Sequence, residues 1–209
     1  MCIRYKAKQQ NRSDAIYRYM KDIVIKIDFF SPWHCSSGLS AGAEADSVVI
    51  KDSRGLPYIP GKTLKGLLRE AVEDYVSLRG LDLPLEATFG RNAEGINADQ
   101  LPSKGTVYVG NATLEDREAD SIVSGRLTDF LYVSRATTAI DPASGIAKDH
   151  SLRTTEAAVP CTLYAPVMHI DDSIADIMEP ALGLIKYMGT DRNRGMGRCR
   201  FTIRKGDEL

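Results

Sequence analysis

From Asp22 to Phe30 the sequence DIVIKIDFF alternates apolar and polar positions with a period of two, the spacing of a half-buried strand. A long segment of small residues follows, SPWHCSSGLSAGAEADS from Ser31 to Ser47. Ordered connections of that length in a compact domain tend to serve function. VVIKD after it predicts a short strand. The period then changes. Leu64, Leu67, Leu68, Ala71, Val72, Tyr75 and Val76 recur at helical spacing and predict an amphipathic helix of about four turns that ends near Gly80. Residues 81–105 read as irregular. GTVYVGNATL (Gly105 to Leu114), FLYVSRATTAI and EAAVPCTLYAPVMHI predict strands, with DPASG as a turn between the last two. Asp171 or Asp172 caps a second helix with the apolar face Ile174, Ile177, Met178, Ala181, Leu182, Ile185 and Met188. Pro180 inside it is a site for a kink. RCRFTIR predicts a closing strand.

The order strand, helix, strands, helix, strand is that of an α+β, ferredoxin-like β-α-β-β-α-β domain, with insertions after the first strand and in the middle. Residues 1–21 read as a polar lead-in. The 209 residues suffice for one domain with a core that needs no disulfide. The four cysteines are scattered and form no CxxC, and the three histidines have no metal-site spacing. These features predict a reducing, cytoplasmic setting. The polar N-terminal stretch has no signal-peptide core, no apolar run is long enough to span a membrane, and Gly206 interrupts the retention-like KGDEL tail. The formal net charge of −1 gives no global field for a polyanion, so such a partner must meet local patches.

GLPYIPGKTLKGLLREAV (Gly55 to Val72) carries a GKT that invites comparison with a phosphate-binding P-loop. The count fails: the first glycine of that motif belongs at position 56, which is Leu56. Pro57 and Pro60 fall inside the would-be cradle and have no N–H to give. The stretch reads instead as a turn and a helix start. Backbone donors there, with Lys62, Lys65 and Arg69 along one basic edge, suit an anion. A second glycine turn, GTDRNRGMGRCRF (Gly189 to Phe201), sets Arg192, Arg194, Arg198 and Arg200 around Gly195 and Gly197. It either holds phosphates through backbone N–H groups and guanidinium forks or is a helix cap followed by an edge strand with solvated arginines. Two such turns in this plan point to RNA. Trp33 is placed either to stack on a base or to anchor its loop in the core, and Tyr58, Tyr132 and Tyr164 share that ambiguity. His169 ends a strand and reads as structural or exposed.

These segments resemble the RAMP superfamily of CRISPR-associated proteins. YIPGKTLKGLLRE looks like its IPGSSLKGxxR signature, and GTDRNRGMGRCRF like its C-terminal GxxRSRGxGRV loop. TAIDPASGIAKDHSLRTTEAAVPCTLY is similar to a segment of type III effector backbone subunits, and WHCSSG matches the histidine- and glycine-rich turn after the first strand. The matches run from about residue 22 to 204. The resemblance implies a palm formed by residues 22–114 and 159–205 and a thumb-like insertion at about 115–158. It also implies binding of a CRISPR guide RNA through His34, Gly61, Lys62, Thr63, Lys65, Arg69, Arg192, Arg194, Gly195, Gly197 and Arg198. Partners would be target RNA, other subunits of the complex and copies of the same chain. Lys62 and Thr63 stand where the family often has two serines.

In such backbone subunits an aspartate in the loop after the first strand cuts target RNA, in a context similar to GAIDSPVVRD. Here GAEADSVVIKD (Gly42 to Asp52) makes Asp46 the matching carboxylate, with Glu44 as the alternative because this stretch is one residue longer. Read without the resemblance, Asp46 is a solvated loop carboxylate. With it, Asp46 would draw a proton from the RNA 2′-hydroxyl or position a divalent cation such as Mg2+. The alternatives are a non-catalytic RNA-binding or capping subunit and a guide-processing endoribonuclease. The LKG helix start argues against the last.

Overall fold

The structure is a computed structural model that describes residues 20–36, 38, 47–91 and 103–204. Strand β1 (Met20–Phe29) begins two residues before the expected Asp22, and every second residue at its end points inward: Ile25, Ile27 and Phe29 are buried. Helix α1 spans Gly61–Arg79 and buries Leu64, Leu68, Ala71, Val72 and Val76, the stripe its apolar spacing predicts. It ends at Gly80, in the left-handed conformation, where the Leu81 N–H reaches back to the Val76 carbonyl. A short helix α2 (Leu85–Phe89) and the two-residue strand β2 (Tyr108–Val109) follow.

Residues 115–158 hold helix α3 (Asp116–Ser124), a 3-10 turn (Thr128–Leu131), and strands β3 (Tyr132–Thr137) and β4 (Arg153–Ala158). The last two pair only with each other, from Tyr132↔Ala158 to Thr137↔Arg153. Strand β5 (Thr162–Asp171) returns to the main sheet, helix α4 spans Asp172–Leu182, and β6 (Cys199–Ile203) closes the chain. The main sheet is antiparallel in the order β2-β5-β1-β6. Helices α1 and α4 pack together on the face formed by Ile25, Ile27, Leu163, Ala165, Val167 and Phe201.

The structure departs from the periodicity in several places. VVIKD forms isolated bridges at Val49 and Lys51 instead of a strand. Of the expected 105–114 strand only Tyr108–Val109 is a strand, and Gly110 and Thr113 reach β5 through separate backbone bonds to Pro166 and Tyr164. The run from Glu156 to Ile170 splits into β4 and β5 because Pro160 has no N–H to extend a ladder. Helix α2 falls in a stretch read as irregular, and α3 is too polar for a stripe to stand out, burying only Ala119. Helix α4 ends two residues after Pro180, so Ile185 and Met188 reach the core from an irregular segment. Its N-cap is Asp171, whose carboxylate accepts the Ser173 N–H at 3.0 Å. His169 sits at a register shift between β1 and β5, with φ +58°, and its N–H donates to Asp22 at 2.9 Å, a structural role.

Gly61 opens α1 because nothing larger fits: a Cβ there would overlap the Val109 carbonyl oxygen. Gly66, five residues on, has nothing within 4 Å of its own would-be Cβ. Gly61→Ala is therefore expected to cost about 1–3 kcal/mol by overpacking. Gly66→Ala should stabilise by about 0.5–1 kcal/mol through helix propensity. Urea unfolding of the two variants checks this, and equal effects would contradict the packing.

Candidate functional site

Helix α1 begins without a side-chain cap on Pro60. Asn111 Oδ1 accepts the Gly61 N–H at 2.9 Å, and Leu64 N–H bonds the Pro60 carbonyl. The N–H groups of Lys62 and Thr63 find no acceptor among the described residues. Such first-turn donors, at the positive end of the helix dipole, are available to an anion. Both side chains are exposed.

The second glycine turn lies beside them. Lys62, Thr63, Gly189 and Arg192 line one shallow groove of about 450 Å³. Residues 126 to 130 positions apart in sequence are thus neighbours in one site: the turn before α1 and the loop after α4 converge. Lys62 and Arg192 pair with no carboxylate among the described residues, although Glu70 also borders the groove.

The rest of the basic edge points elsewhere. Lys65 Nζ donates to the Val107 carbonyl at 2.9 Å, and burial, followed by the Arg69 charge, pulls its ammonium below its ordinary value. Arg69 is held by Glu73 at 2.6 Å and by the Gly90 carbonyl at 3.1 Å. These two cations tie α1 to the segments around β2 and α2. Arg194 is well exposed and lies 3.7 Å from Asp191. Gly195 takes φ +82° with open space around it. Arg198 lines a different hollow with Phe30 and Arg200, at the β6 edge. A larger concavity of about 660 Å³ lies on the open face of the sheet between Tyr164, Arg204 and Glu115, and it shares no lining residue with the groove. Arg204 already stacks over Tyr164 and pairs with Glu115 at 3.0 Å there, so that hollow offers no comparable set of open donors.

His34 was expected as a guide contact, but its side chain is 1 % exposed and both ring nitrogens are engaged. Nδ1 lies 2.6 Å from the Glu156 carbonyl and Nε2 lies 3.0 Å from Ser47 Oγ. Burial likewise decides between the two readings of Trp33, which is 1 % exposed and stacks on Phe29 at 4.7 Å. Tyr132 is structural: its hydroxyl donates to the Gly55 carbonyl at 2.6 Å. Burial, with the Glu156 and Asp52 carboxylates behind it, pushes that phenol well up.

Asp46 and Glu44 lie outside the described residues. Ser47, the next residue, is pinned: it bridges Thr155, its carbonyl accepts the Glu156 N–H at 3.0 Å, and its hydroxyl meets His34. The Glu156 carboxylate accepts the Val49 N–H at 2.9 Å and the Lys51 ammonium at 2.8 Å. Asp52 is taken up in capping its own turn, accepting Arg54 N–H at 2.8 Å and Leu56 N–H at 2.9 Å. Among the described residues no group of three or more His, Cys, Asp or Glu could hold a metal ion. Nor do they supply a thiolate: burial raises the Cys35 thiol, and lifts those of Cys161 to about 11 and Cys199 to about 12. Among the described residues no helix is long and apolar enough to cross a membrane.

Sequence reasoning missed Glu156, Ser47 and Asn111. Glu156 had a signal, as the one carboxylate in the hydroxyl-rich and apolar run TTEAAV. Asn111 and Ser47 had none, since each acts through a distant backbone or ring.

The family model for the RAMP superfamily matches residues 26–200. A curated relative, the CRISPR system Cms endoribonuclease Csm3 of Enterococcus italicus, is 25% identical over 195 residues, covering 87% of this chain and 89% of its own. A chain of the type III-B Cmr-beta complex bound to cognate target RNA superposes with a TM-score of 0.65 at 10% identity, over 88% of this chain and 98% of that one. A chain of the same complex in its apo state gives a TM-score of 0.66 at 12% identity, over 91% and 99%. At these identities the solved structures establish likeness of fold.

Removing the Glu156 carboxylate leaves the Val49 N–H and Lys51 ammonium unpaired. Glu156→Ala is expected to cost about 1–3 kcal/mol, and Glu156→Gln less because one acceptor survives. Denaturant titration checks the order Ala worse than Gln.

Proposed function

The chain belongs to the RAMP superfamily, and we propose on that premise that it is a guide-RNA-binding backbone subunit of a type III CRISPR effector complex. The observation that carries the reading is the groove in which the first turn of α1 meets the glycine loop after α4. Lys62 and Thr63 N–H groups, the Lys62 ammonium and the Arg192 guanidinium form a set of donors without acceptors among the described residues, spaced over two segments as a polymer of phosphates requires. Arg194, exposed on the same loop as Arg192, extends this basic track, and Arg198 stands apart from it in the hollow at the β6 edge. Lys65 and Arg69 act one step behind it, by fixing the helix that presents the donors. Target RNA, neighbouring subunits and copies of the same chain are the partners, and the setting is the cytoplasm.

On this reading the main sheet with α1 and α4 is a ferredoxin-like palm (residues 22–114 and 159–205), and 115–158 a thumb built on the β3–β4 hairpin. The strand order β2-β5-β1-β6, with all neighbours antiparallel, supports the palm.

The chemistry falls to Asp46. Its carboxylate takes the proton from a 2′-hydroxyl of target RNA as that oxygen attacks the adjacent phosphorus. The new bond closes a cyclic phosphate, the bond to the 5′-oxygen breaks, and that oxygen takes a proton from water to leave as a 5′-hydroxyl. The protein's larger contribution is alignment of attacking and leaving oxygens. Ser47, anchored to Thr155, Glu156 and His34, provides a fixed end for the loop that carries Asp46. A divalent cation would supply charge stabilisation at the phosphate.

Asp46→Ala in the assembled complex is expected to abolish target cleavage and leave guide content unchanged. Gel analysis of a labelled target checks this, and cleavage at the wild-type rate would favour the non-catalytic RNA-binding subunit. For the groove, Lys62→Ala and Arg192→Ala should each lower the salt slope of RNA affinity by about 0.7, one phosphate contact on a single strand. Lys65→Ala should instead lower folding stability, with little change in slope.

A further inference from the structure

We propose that His34 is a positioning residue for the guide-binding groove, acting through its own backbone while its buried ring locks that backbone in place. The proposal rests on the guide-RNA reading of the groove. A carbonyl only accepts, so the short contact to the Glu156 carbonyl puts the proton on Nδ1 and leaves Nε2 to accept from the Ser47 hydroxyl. The ring has no polar atom left for a phosphate.

The backbone of the same residue faces the opposite way. The His34 carbonyl accepts the Thr190 N–H at 3.0 Å. It also lies so close to Gly189 that a Cβ there would overlap it. Its neighbours continue the contact: the Pro32 carbonyl accepts the Gly197 N–H at 2.8 Å, and Trp33 exchanges both backbone bonds with Ala158, at 2.9 and 2.8 Å. Residues 32–34 are thus a strap with the glycine loop on one side and the end of β4 on the other. Gly189 and Arg192 sit on the loop side of that strap and complete the groove with Lys62 and Thr63. The distance from the Arg192 guanidinium to the α1 donors is set by where His34 holds the loop.

A positioning residue and a phosphate contact differ in salt dependence. Loss of a contact removes released counterions and flattens the slope, whereas misplacement of donors lowers affinity without removing a particular ion pair. The test titrates the full-length chain with a guide-length single-stranded RNA over a salt series, for wild type, His34→Ala, His34→Asn and His34→Gln, with Lys62→Ala and Arg192→Ala in parallel. His34→Ala is expected to weaken binding about tenfold, as when a supporting hydrogen bond behind a ligand is removed, with the slope unchanged. His34→Asn places an amide N–H where Nδ1–H was and should recover most of the affinity. His34→Gln reaches toward Ser47 but leaves the Glu156 carbonyl, and should stay weak. If His34→Ala does not fold, the Asn and Gln variants decide. A slope lowered by about 0.7 in any His34 variant would mean direct phosphate contact and overturn the proposal. So would wild-type affinity in both the Ala and Gln variants, or Asn no better than Gln. Unchanged affinity and slope in Lys62→Ala and Arg192→Ala would instead overturn the guide-RNA reading, and the proposal with it.

Discussion

The loop after α4 lies directly on backbone. A Cβ at Gly197 would overlap the Met188 carbonyl oxygen, and one at Gly189 would overlap that of His34. Both glycines take positive φ, +68° and +93°, where a side chain is strained in any case. The loop can therefore fold back onto residues 30–34 only as bare main chain. It is fastened there by Phe30 N–H to the Arg198 carbonyl, Arg198 N–H to Ser31 Oγ, and the bonds at Pro32 and His34. This seating fixes the end of α4, starts β6 in register beside β1, and brings Arg192 to the first turn of α1. The groove exists because the loop cannot lie anywhere else.

Charge follows from the same arrangement. With a net charge of −1 the chain has no surplus of cations, and most arginines near the site are neutralised within the fold. Arg69 meets Glu73, Arg194 meets Asp191, Arg200 meets Asp28 and Arg204 meets Glu115. Several of these pairs are exposed and contribute little to stability. Lys62 and Arg192 are among the cations that pair with no carboxylate among the described residues. A nearly neutral protein can grip a polyanion when its open donors are gathered in this way.

The elements legible in the sequence were those with a strong period and a clear stop. The alternation of β1, the stripe of α1 with Gly80 after it, and the Asp171 cap of α4 all appear in the structure, because burial on one face decides each of them. Helix α3 was not legible, since Asp116, Glu118 and Asp120 leave it almost no buried face, and Pro160 divided what hydrophobicity alone would join. At the candidate site, Lys62 and Arg192, which come from two separate motifs, line one groove. Lys65 and Arg69 were read as one edge with Lys62 because helical spacing says which residues are neighbours, not which backbone carbonyl captures an ammonium. The motif reading makes His34 a contact, yet its ring is buried against Glu156, far along the chain, which no local pattern reveals.

The most direct measurement is a cryo-EM reconstruction of the chain assembled on its guide RNA. The account predicts backbone phosphates within hydrogen-bonding reach of the Lys62 and Thr63 N–H groups and of the Arg192 guanidinium, with the His34 ring still buried against Ser47 and Glu156. An RNA path over the open face of the sheet, with bases on Tyr164 and the groove empty of phosphate, would contradict it.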